Sequence, residues 1–456
     1  MKQKVTPKTL SGFMELLPAE QLVFDRMKNI IEETYRSFGF VGLDTPVLEL
    51  SDVLLAKAGG ETEKQIYRFT KGDNDLCMRF DLTVPLARYV AEHQNELTFP
   101  FKRYQISKCY RGERPQKGRF REFYQADIDI IGSEKLAVVY DAEVPSIMYH
   151  VLKKLGLERF HIKLNNRKVM IGFFESLNLS EKSSEILRII DKADKIGFDN
   201  VKACLKDLAL SDEMLEVIMT FAMKQGTVAE ILDFLKKQEI ENEKYKEGVA
   251  EIELVCEAMK NLGVDENAFE IDLKITRGLD YYTGTVYETF LDDYKNWGSI
   301  CSGGRYDNLS GYYTDRKLPG VGMSIGLTRF FDLLKDQNLI QPKAQTPADV
   351  LVLPMGDEAL LYALKVANSL REKGFNVQTN ASDGKFKNKM VYANKIGVPF
   401  VVILGEDEVQ SQTVTLKNMQ TGDQSCLSYE QLPVELKNVL SENSLKTTKV
   451  IRYFAE

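Results

Sequence analysis

A long run of helical sequence interrupts strand-like sequence in the middle of this chain. Residues 168–266 contain segments such as KSSEILRIIDKADKI and EGVAEIELVCEAMKNLG, in which apolar residues recur at helical spacing. The strand-like segments on both sides lack the regular strand–helix alternation of a Rossmann domain. We therefore predict an α+β core with one antiparallel sheet, formed by residues 1–167 and 267–340, and a helical insertion at 168–266.

A second domain is predicted after a short linker. Residues 341–349 (QPKAQTPAD) contain two prolines and no apolar periodicity, which is typical of a linker. Beyond them, strand-like ADVLVLPM, FNVQTN and PFVVILG alternate with helical EALLYALKVANSLREKG and KFKNKMVYANKIG. Residues 350–456 are predicted to form a small α/β domain with parallel strands. The four lysines of residues 385–395 either contact phosphates or form a solvated helix face.

Composition and spacing exclude several classes of protein. The chain has 456 residues, 44% of them hydrophobic, which is enough for two or three packed domains. Its first residues lack the apolar core of a signal peptide, and no window approaches the roughly 20 apolar residues of a spanning helix. We expect a cytoplasmic protein with no membrane partner. The six cysteines form no CxxC pair and the three histidines no HxxxH pair, so neither disulfides nor a protein-held metal is predicted.

The most informative charges lie in residues 102–121. They include eight Lys or Arg and one Glu, although the net charge of the chain is −7. The segment CYRGERPQKGRFREFYQADIDIIG (109–132) has the pattern of a strand, a basic loop and a second strand. Such a hairpin can direct several guanidiniums at one polyanion, because each planar fork binds phosphate oxygens bidentately. The alternative is an exposed charged hairpin.

This segment resembles motif 2 of the class II aminoacyl-tRNA synthetases. The resemblance implies that Arg111 holds the α-phosphate of ATP, that Glu113 lies near the adenine, and that Arg119 lies near the terminal phosphates. It also implies that Phe123 lies under the purine ring.

Two further segments resemble the other motifs of this class. GVGMSIGLTRF (320–330) resembles motif 3, which implies that Arg329 stacks on the other face of the adenine and meets the γ-phosphate. The segment around Pro46 resembles motif 1, which implies a homodimer. The chain contains no GxxxxGK[ST] sequence, so a P-loop is excluded as the ATP site.

The amino-acid substrate is indicated by RGLDYYTG (277–284) and SGGRYDNL (302–309), which resemble segments particular to the histidyl branch of the class. The resemblance covers nearly the whole chain and includes a C-terminal anticodon-binding domain. It implies that L-histidine is activated with ATP to histidyl-adenylate and transferred to the 3′-terminal adenosine of tRNA(His). Mg²⁺ would bridge the β- and γ-phosphates and be held chiefly by ATP, with no protein side chain predicted as a metal ligand.

The same resemblance implies a histidine pocket and two catalytic arginines. Arg111 and Arg277 are expected to converge on the α-phosphate. The residues implied to bind histidine are Asp81, Leu82, Thr83, Arg111, Gln125, Asp129, Arg277, Tyr281 and Tyr282. The α-ammonium needs acceptors, which Asp81, Thr83 and Gln125 can supply. The imidazole needs a partner at each nitrogen, which Asp129 and Tyr282 can offer, and such a pocket rejects ligands that leave these groups unpaired.

Some positions depart from the commonest bacterial pattern of the family. Asp stands at 81 and 129 where many members carry Glu, and Thr328 stands where a Glu often precedes the motif 3 arginine. Two other functions remain as alternatives: a catalytically silent paralogue that regulates ATP phosphoribosyltransferase, and a synthetase-like RNA-binding module. The first would lack the C-terminal domain and an intact RGLDYY segment. The second would be expected to lose Arg111, Arg277 or Arg329.

Overall fold

The computed structural model describes residues 4–56, 61–275, 282–445 and 450–451. They form two compact units. The described residues of the first unit lie within 1–14 and 28–337, and those of the second within 15–27 and 338–452. No helix in the described ranges is long and apolar enough to cross a membrane.

Strands and helices alternate irregularly along the chain. The strands are β1 (Val41–Gly42), β2 (Leu48–Leu50), β3 (Arg68–Lys71), β4 (Asn74–Met78), β5 (Phe101–Tyr110), β6 (Glu122–Ile131), β7 (Phe160–Asn166), β8 (Phe269–Ile271), β9 (Thr285–Leu291), β10 (Cys301–Tyr306), β11 (Gly320–Ile325), β12 (Val350–Pro354), β13 (Val377–Thr379), β14 (Phe400–Leu404), β15 (Thr413–Asn418) and β16 (Gln424–Ser428). The α-helices are α1 (Pro18–Ser37), α2 (Ser51–Leu55), α3 (Glu61–Gln65), α4 (Thr83–Glu92), α5 (Tyr140–Leu155), α6 (Arg167–Ser176), α7 (Ser183–Ile190), α8 (Ala193–Ile196), α9 (Phe198–Lys206), α10 (Asp212–Ala222), α11 (Val228–Lys236), α12 (Glu243–Asn261), α13 (Leu327–Asp336), α14 (Leu360–Glu372), α15 (Phe386–Ile396), α16 (Glu406–Ser411) and α17 (Leu432–Leu445).

An eight-stranded sheet forms the centre of the first unit. Its strand order is β1-β5-β6-β11-β10-β9-β7-β8, and the pairs from β5 to β7 are all antiparallel, as the sequence predicted. The two edge strands differ, because β1 runs parallel to β5 and β8 runs parallel to β7. Long connections that contain helices precede β5 and β8, and a parallel pair requires such a crossover. A separate small sheet, β2-β4-β3, lies outside the main one.

The β5–β6 hairpin is the feature of this sheet that positions the site. Ten residue pairs join the two strands, from Phe101 opposite Ile131 to Tyr110 opposite Glu122. The connecting loop, residues 111–121, is therefore the basic segment that the sequence singled out. Helix α5 contributes a largely buried apolar surface against the sheet, including Ile147 and Val151.

The helices α6 to α12 lie between β7 and β8, where the sequence predicted an insertion. Helices α6 and α12 approach each other closely through two glycines. A Cβ at Gly172 would lie 2.5 Å from the Tyr245 nitrogen, and one at Gly248 would lie 2.6 Å from the Val169 nitrogen. Phe173 and Phe221 stack beside this contact with ring centroids 3.8 Å apart. The insertion belongs to the first compact unit.

The second unit contains a five-stranded sheet in the order β13-β12-β14-β15-β16. The parallel strands that the sequence predicted are β13, β12 and β14, whereas β15 and β16 add to the sheet in antiparallel fashion. In α15, Lys389 is buried and its ammonium donates to the Pro354 carbonyl. Of the four lysines in residues 385–395, the other three, Lys385, Lys387 and Lys395, are exposed.

The cysteines are free thiols in this structure. Four are buried (Cys77, Cys109, Cys256 and Cys301), and two are exposed (Cys204 and Cys426).

A buried ion pair fastens α5 to the sheet. The Asp141 carboxylate, at the start of α5, is fully buried and accepts from Arg305 at 2.6 Å and from Thr285 at 2.7 Å.

We expect Asp141→Ala to lower the free energy of unfolding of the first unit by about 3–5 kcal/mol, because it leaves the Arg305 charge buried without its partner. Urea titration followed by circular dichroism measures this change. Asp293→Ala, which removes a half-exposed pair with Arg159, is the control and should cost less than about 1 kcal/mol. Equal effects of the two substitutions would contradict the prediction.

Candidate active site

A cavity of about 530 Å³ lies in the first unit beside the β5–β6 hairpin. The sequence-predicted residues that line it are Asp81, Thr83, Arg111, Glu113, Arg119, Phe123, Gln125, Asp129, Tyr282 and Arg329. The loop of the hairpin therefore faces a cavity and is not simply an exposed charged turn. Arg277 and Tyr281 lie outside the described residues.

Three polar residues of β6 face the cavity because alternate residues of a strand share a side. They are Gln125, Asp127 and Asp129. The Gln125 amide nitrogen donates to the Ser324 hydroxyl on β11 at 2.7 Å. Asp127 was not predicted from the sequence. It lies two residues from Gln125 and two from Asp129 on the same strand, and this spacing could have identified it. Burial raises the pKa of Asp127 to about 7, since the carboxyl is removed from water and faces another acid, Asp129.

The Asp129 carboxylate is held from two sides. The guanidinium of Arg103 lies 2.8 Å from Oδ2, and the Tyr306 hydroxyl donates to Oδ1 at 2.6 Å. Burial raises the pKa of Asp129, and Arg103 and the Tyr306 hydrogen bond act in the opposite direction. The neighbouring strand must carry glycine at 322, because a Cβ there would lie 2.1 Å from Oδ1. Neither Arg103 nor Tyr306 was identified from the sequence.

The segment Asp81-Leu82-Thr83 lies at the N-terminus of α4. Asp81 Oδ1 accepts from the Val84 nitrogen at 3.1 Å, which satisfies one free N–H of the first helical turn. Burial raises the pKa of Asp81 to about 6, partly offset by Arg111 and Arg103. Leu82 was predicted from the sequence to bind histidine, but it is not among the residues that line the cavity. Its side chain is buried, and its carbonyl accepts from Arg103 at 3.1 Å.

The motif 2 residues also line the cavity. Arg111 Nε donates to the Phe80 carbonyl at 3.0 Å, and the guanidinium carbon lies 5.0 Å from the centroid of the Phe123 ring. This distance is within the range of a cation–π contact. Glu113 and Arg119 form an ion pair with 3.5 Å between charged atoms.

Arg329 joins the cavity lining from the first turn of α13, and its Nη2 donates to the Trp297 carbonyl. The preceding residue, Thr328, is buried and accepts from the Tyr124 nitrogen at 2.8 Å. The threonine that departs from the family pattern therefore joins α13 to β6. Trp297 was also not identified from the sequence. The ammonium nitrogen of Lys117 lies 5.0 Å from the centroid of its ring.

The cavity is consequently lined by charges of both signs. Asp81, Asp127 and Asp129 supply carboxylates, and Arg111, Arg119 and Arg329 supply guanidiniums. Such a site can accommodate a cationic or N–H-rich ligand next to a polyanion. Within the part of the chain that the structure describes, no group of three His, Cys, Asp or Glu could hold a metal ion.

Comparisons with known proteins agree with this arrangement. The family model for histidyl-tRNA synthetase matches residues 12–330, and the model for the anticodon binding domain matches residues 349–439. The histidine–tRNA ligase of Clostridium tetani is 52% identical over 438 residues, which cover 96% of this chain and 99% of the relative. The histidine–tRNA ligase of Finegoldia magna is 48% identical and covers 95% of this chain and 100% of its own. The crystal structure of histidyl-tRNA synthetase from Nostoc sp. PCC 7120 superimposes with a TM-score of 0.90 at 42% identity, covering 96% of this chain and 100% of that one. A family model that matches more than half of the chain, together with relatives aligned over nearly all of it, shows that the chain belongs to the histidyl-tRNA synthetase family.

Proposed function

We propose that this cavity binds L-histidine and ATP side by side. The chain activates histidine with ATP and transfers it to the 3′-terminal adenosine of tRNA(His). The observation that carries the placement of both substrates is the presence of both signs of charge: three buried carboxylates and three arginines line one cavity. An amino acid bears its ammonium and its carboxylate on one carbon, so it fits between the carboxylates and the phosphates.

The histidine side chain lies against Asp129 in this proposal. One imidazole N–H donates to the Asp129 carboxylate, and the Tyr282 hydroxyl meets the other nitrogen. The α-ammonium donates to Asp81, Thr83 and Gln125. The Gln125 carbonyl oxygen supports this role, because it is buried and has no hydrogen-bond partner among the described residues. A buried acceptor of this kind gains a full hydrogen bond when the ammonium arrives.

ATP lies against the arginines of the cavity lining in this proposal. Arg111 and Arg277 bind the α-phosphate, Arg119 the terminal phosphates, and Arg329 the γ-phosphate and one face of the adenine. Glu113 lies near the adenine, and Phe123 supports its other face. Arg111 already packs against the Phe123 ring, so one side chain can reach both the base and the α-phosphate.

The first reaction is an in-line displacement at the α-phosphorus. A carboxylate oxygen of histidine forms the new bond, the bond to the β-phosphate oxygen breaks, and pyrophosphate leaves. The histidine carboxylate is ionised near pH 7 and needs no general base. Catalysis therefore rests on alignment and on the guanidiniums that stabilise charge on the phosphoryl oxygens. In the second step, the 3′-terminal hydroxyl of tRNA attacks the carbonyl carbon of the adenylate and AMP leaves.

Magnesium is proposed to enter with ATP. Mg²⁺ prefers phosphate oxygens, water and one or two carboxylates, and it does not require an all-protein cage. The cavity fits this preference, since Glu113 lines it in an ion pair with Arg119 and could supply one carboxylate. The ion would be held chiefly by ATP and would supply positive charge to the phosphates.

The catalytically silent alternative is disfavoured by the second unit. Such a protein would lack this unit, whereas residues 349–439 match an anticodon-binding domain. We retain residues 350–456 as the proposed anticodon-binding domain, 341–349 as the linker, and 1–167 with 267–340 as the proposed catalytic core. The exposed Lys385, Lys387 and Lys395 are candidates for phosphate contacts. The cytoplasmic location stays a prediction.

The edge of the main sheet supports a homodimer. Strand β1 pairs only with β5 among the described strands, and Val41 on it is 53% exposed. Leu48 and Leu50 on β2 and Phe69 on β3 are also exposed apolar residues. An edge strand with neighbouring apolar side chains is a surface that proteins cover. These residues surround the segment of Pro46, which resembles the dimer-forming motif 1.

Histidine-dependent exchange between ATP and pyrophosphate tests the activity. We expect the purified chain with ATP and Mg²⁺ to catalyse this exchange when histidine is added, and the exchange to cease when EDTA removes Mg²⁺. Other amino acids added at the same concentration serve as controls. The absence of histidine-dependent exchange would refute the proposed activity.

Arg277→Ala tests the role of the histidine-signature arginine. We expect the rate of adenylate formation to fall about a hundredfold or more, because one stabilising charge at the α-phosphate is lost. ATP affinity, measured by calorimetry, should largely persist. Arg188→Ala, an exposed arginine on α7, is the matched control and should change neither quantity. An equal loss of ATP binding and adenylate formation would show that the role of Arg277 is misassigned.

Charged substitutions at the exposed apolar residues of β1 and β2 test the homodimer. We expect wild-type protein to sediment as a dimer and Leu50→Lys to shift it towards monomer, because the substitution buries an unpaired charge in the interface. Leu361→Lys, at an exposed leucine on α14 in the second unit, should leave the dimer intact. A dimer that withstands both Leu50→Lys and Val41→Lys would rule out this surface.

A further inference from the structure

Arg103 is a buried cation beneath the cavity. It lies on β5 directly opposite Asp129 on β6, and its side chain is completely inaccessible to solvent. A buried guanidinium loses its hydration, so it is kept in a fold where opposite charges and hydrogen bonds compensate it. Arg103 does not itself line the cavity.

Asp129, which lines the cavity, and the carbonyl of Leu82, which lies between the lining residues Asp81 and Thr83, meet at one nitrogen of this side chain. Nη2 of Arg103 lies 2.8 Å from Asp129 Oδ2 and 3.1 Å from the Leu82 carbonyl oxygen. Nε and Nη1 have no hydrogen-bond partner among the described residues. Asp129 is therefore the carboxylate in direct contact with the guanidinium.

These contacts connect the part of the pocket proposed to bind the imidazole with the part proposed to bind the α-ammonium. Asp129 faces the imidazole in the proposed complex, and Leu82 lies between Asp81 and Thr83, which face the α-ammonium. A rigid guanidinium that contacts both segments fixes the distance between them. Tyr306 holds the other oxygen of Asp129, so the carboxylate cannot turn freely.

Arg103 also acts on the charge of the pocket. Its positive charge lowers the pKa values of Asp81, Asp127 and Asp129, each of which burial raises. The buried guanidinium thus favours the ionised, accepting form of all three carboxyls.

We propose that Arg103 is a positioning residue for histidine recognition: it holds Asp129 and the Asp81–Thr83 turn in register beneath the substrate without touching the substrate. This inference rests on the histidine-binding roles proposed for Asp129, Asp81 and Thr83. Arg103 is then a residue that determines specificity although it does not line the pocket. This role also accounts for Leu82, which contributes a carbonyl group to Arg103.

Exchange kinetics of Arg103→Gln and Arg103→Lys test the proposal. We expect Arg103→Gln to raise the KM for histidine about ten- to hundredfold, because a charge-assisted contact to the imidazole acceptor is lost. The KM for ATP should stay within about twofold, since its proposed ligands are elsewhere. Arg103→Lys keeps the charge but not the planar fork, so its effect should be smaller. Arg88→Gln, which removes a partly buried ion pair with Glu49 away from the cavity, is the control and should leave both KM values unchanged.

A double-mutant cycle with Asp129→Asn separates positioning from general damage. In the Asp129→Asn background, Arg103→Gln should have little further effect on the KM for histidine, because its main charge partner is already neutral. The double variant also removes both buried charges, so it can be studied if Arg103→Gln alone does not fold. Fully additive effects, or equal losses for ATP and histidine, would overturn the role of Arg103.

The cycle also distinguishes failure of this inference from failure of the proposed pocket. If Asp129→Asn raises the KM for histidine and Arg103→Gln does not, Arg103 is not a positioning residue and the pocket assignment stands. If Asp129→Asn leaves the KM for histidine unchanged, the role proposed for Asp129 is wrong, and the inference about Arg103 is overturned with it.

Discussion

The register between β5 and β6 is the constraint on which the cavity depends. Ten consecutive pairs fix which residues of each strand share a side of the sheet. A slip of one residue would turn Gln125, Asp127 and Asp129 away from the cavity, because side chains alternate along a strand. The same register sets Arg103 opposite Asp129 and leaves the basic residues 111–121 in the loop. One hairpin thus supplies both acidic and basic residues of the site.

Burying three carboxyls in the cavity lining costs stability. The pKa values of Asp81 and Asp127 are raised to about 6 and about 7, so these groups hold protons more tightly in the folded chain than in the unfolded one. Their contribution to stability is fully present below the ordinary pKa of an aspartate and is lost as pH rises through about 6 and 7. Near neutral pH the empty pocket therefore carries unfavourable charge, which an ammonium ligand can offset. The fold sustains this cost where substrate recognition requires it.

Local patterns in the sequence identified most of this architecture, but they treated the basic stretch 102–121 as one feature. The structure divides it. Lys102 pairs with Glu143 at 2.5 Å, Lys108 pairs with Glu122 at 2.8 Å, and Arg103 is buried against Asp129. Of the basic residues in this stretch, Arg111 and Arg119 line the cavity. Periodicity predicted the insertion and the hairpin because both are local. The partners of Asp129 could not be predicted in this way, because Tyr306 and Gly322 reach it from strands far along the chain.

The aspartates that depart from the commoner glutamates have a structural consequence that motif comparison does not show. An aspartate carboxylate has one rotatable bond fewer than a glutamate carboxylate, so fewer contacts are needed to fix it and less rotamer entropy is lost. At position 81 the carboxylate lies close enough to its own helix to accept from the Val84 nitrogen. At position 129 it lies close to the sheet, where Arg103 and Tyr306 hold its two oxygens and glycine at 322 leaves room for it. Both acceptors are thus oriented by the backbone elements that carry them, and the shape of the pocket follows from the sheet more than from flexible side chains.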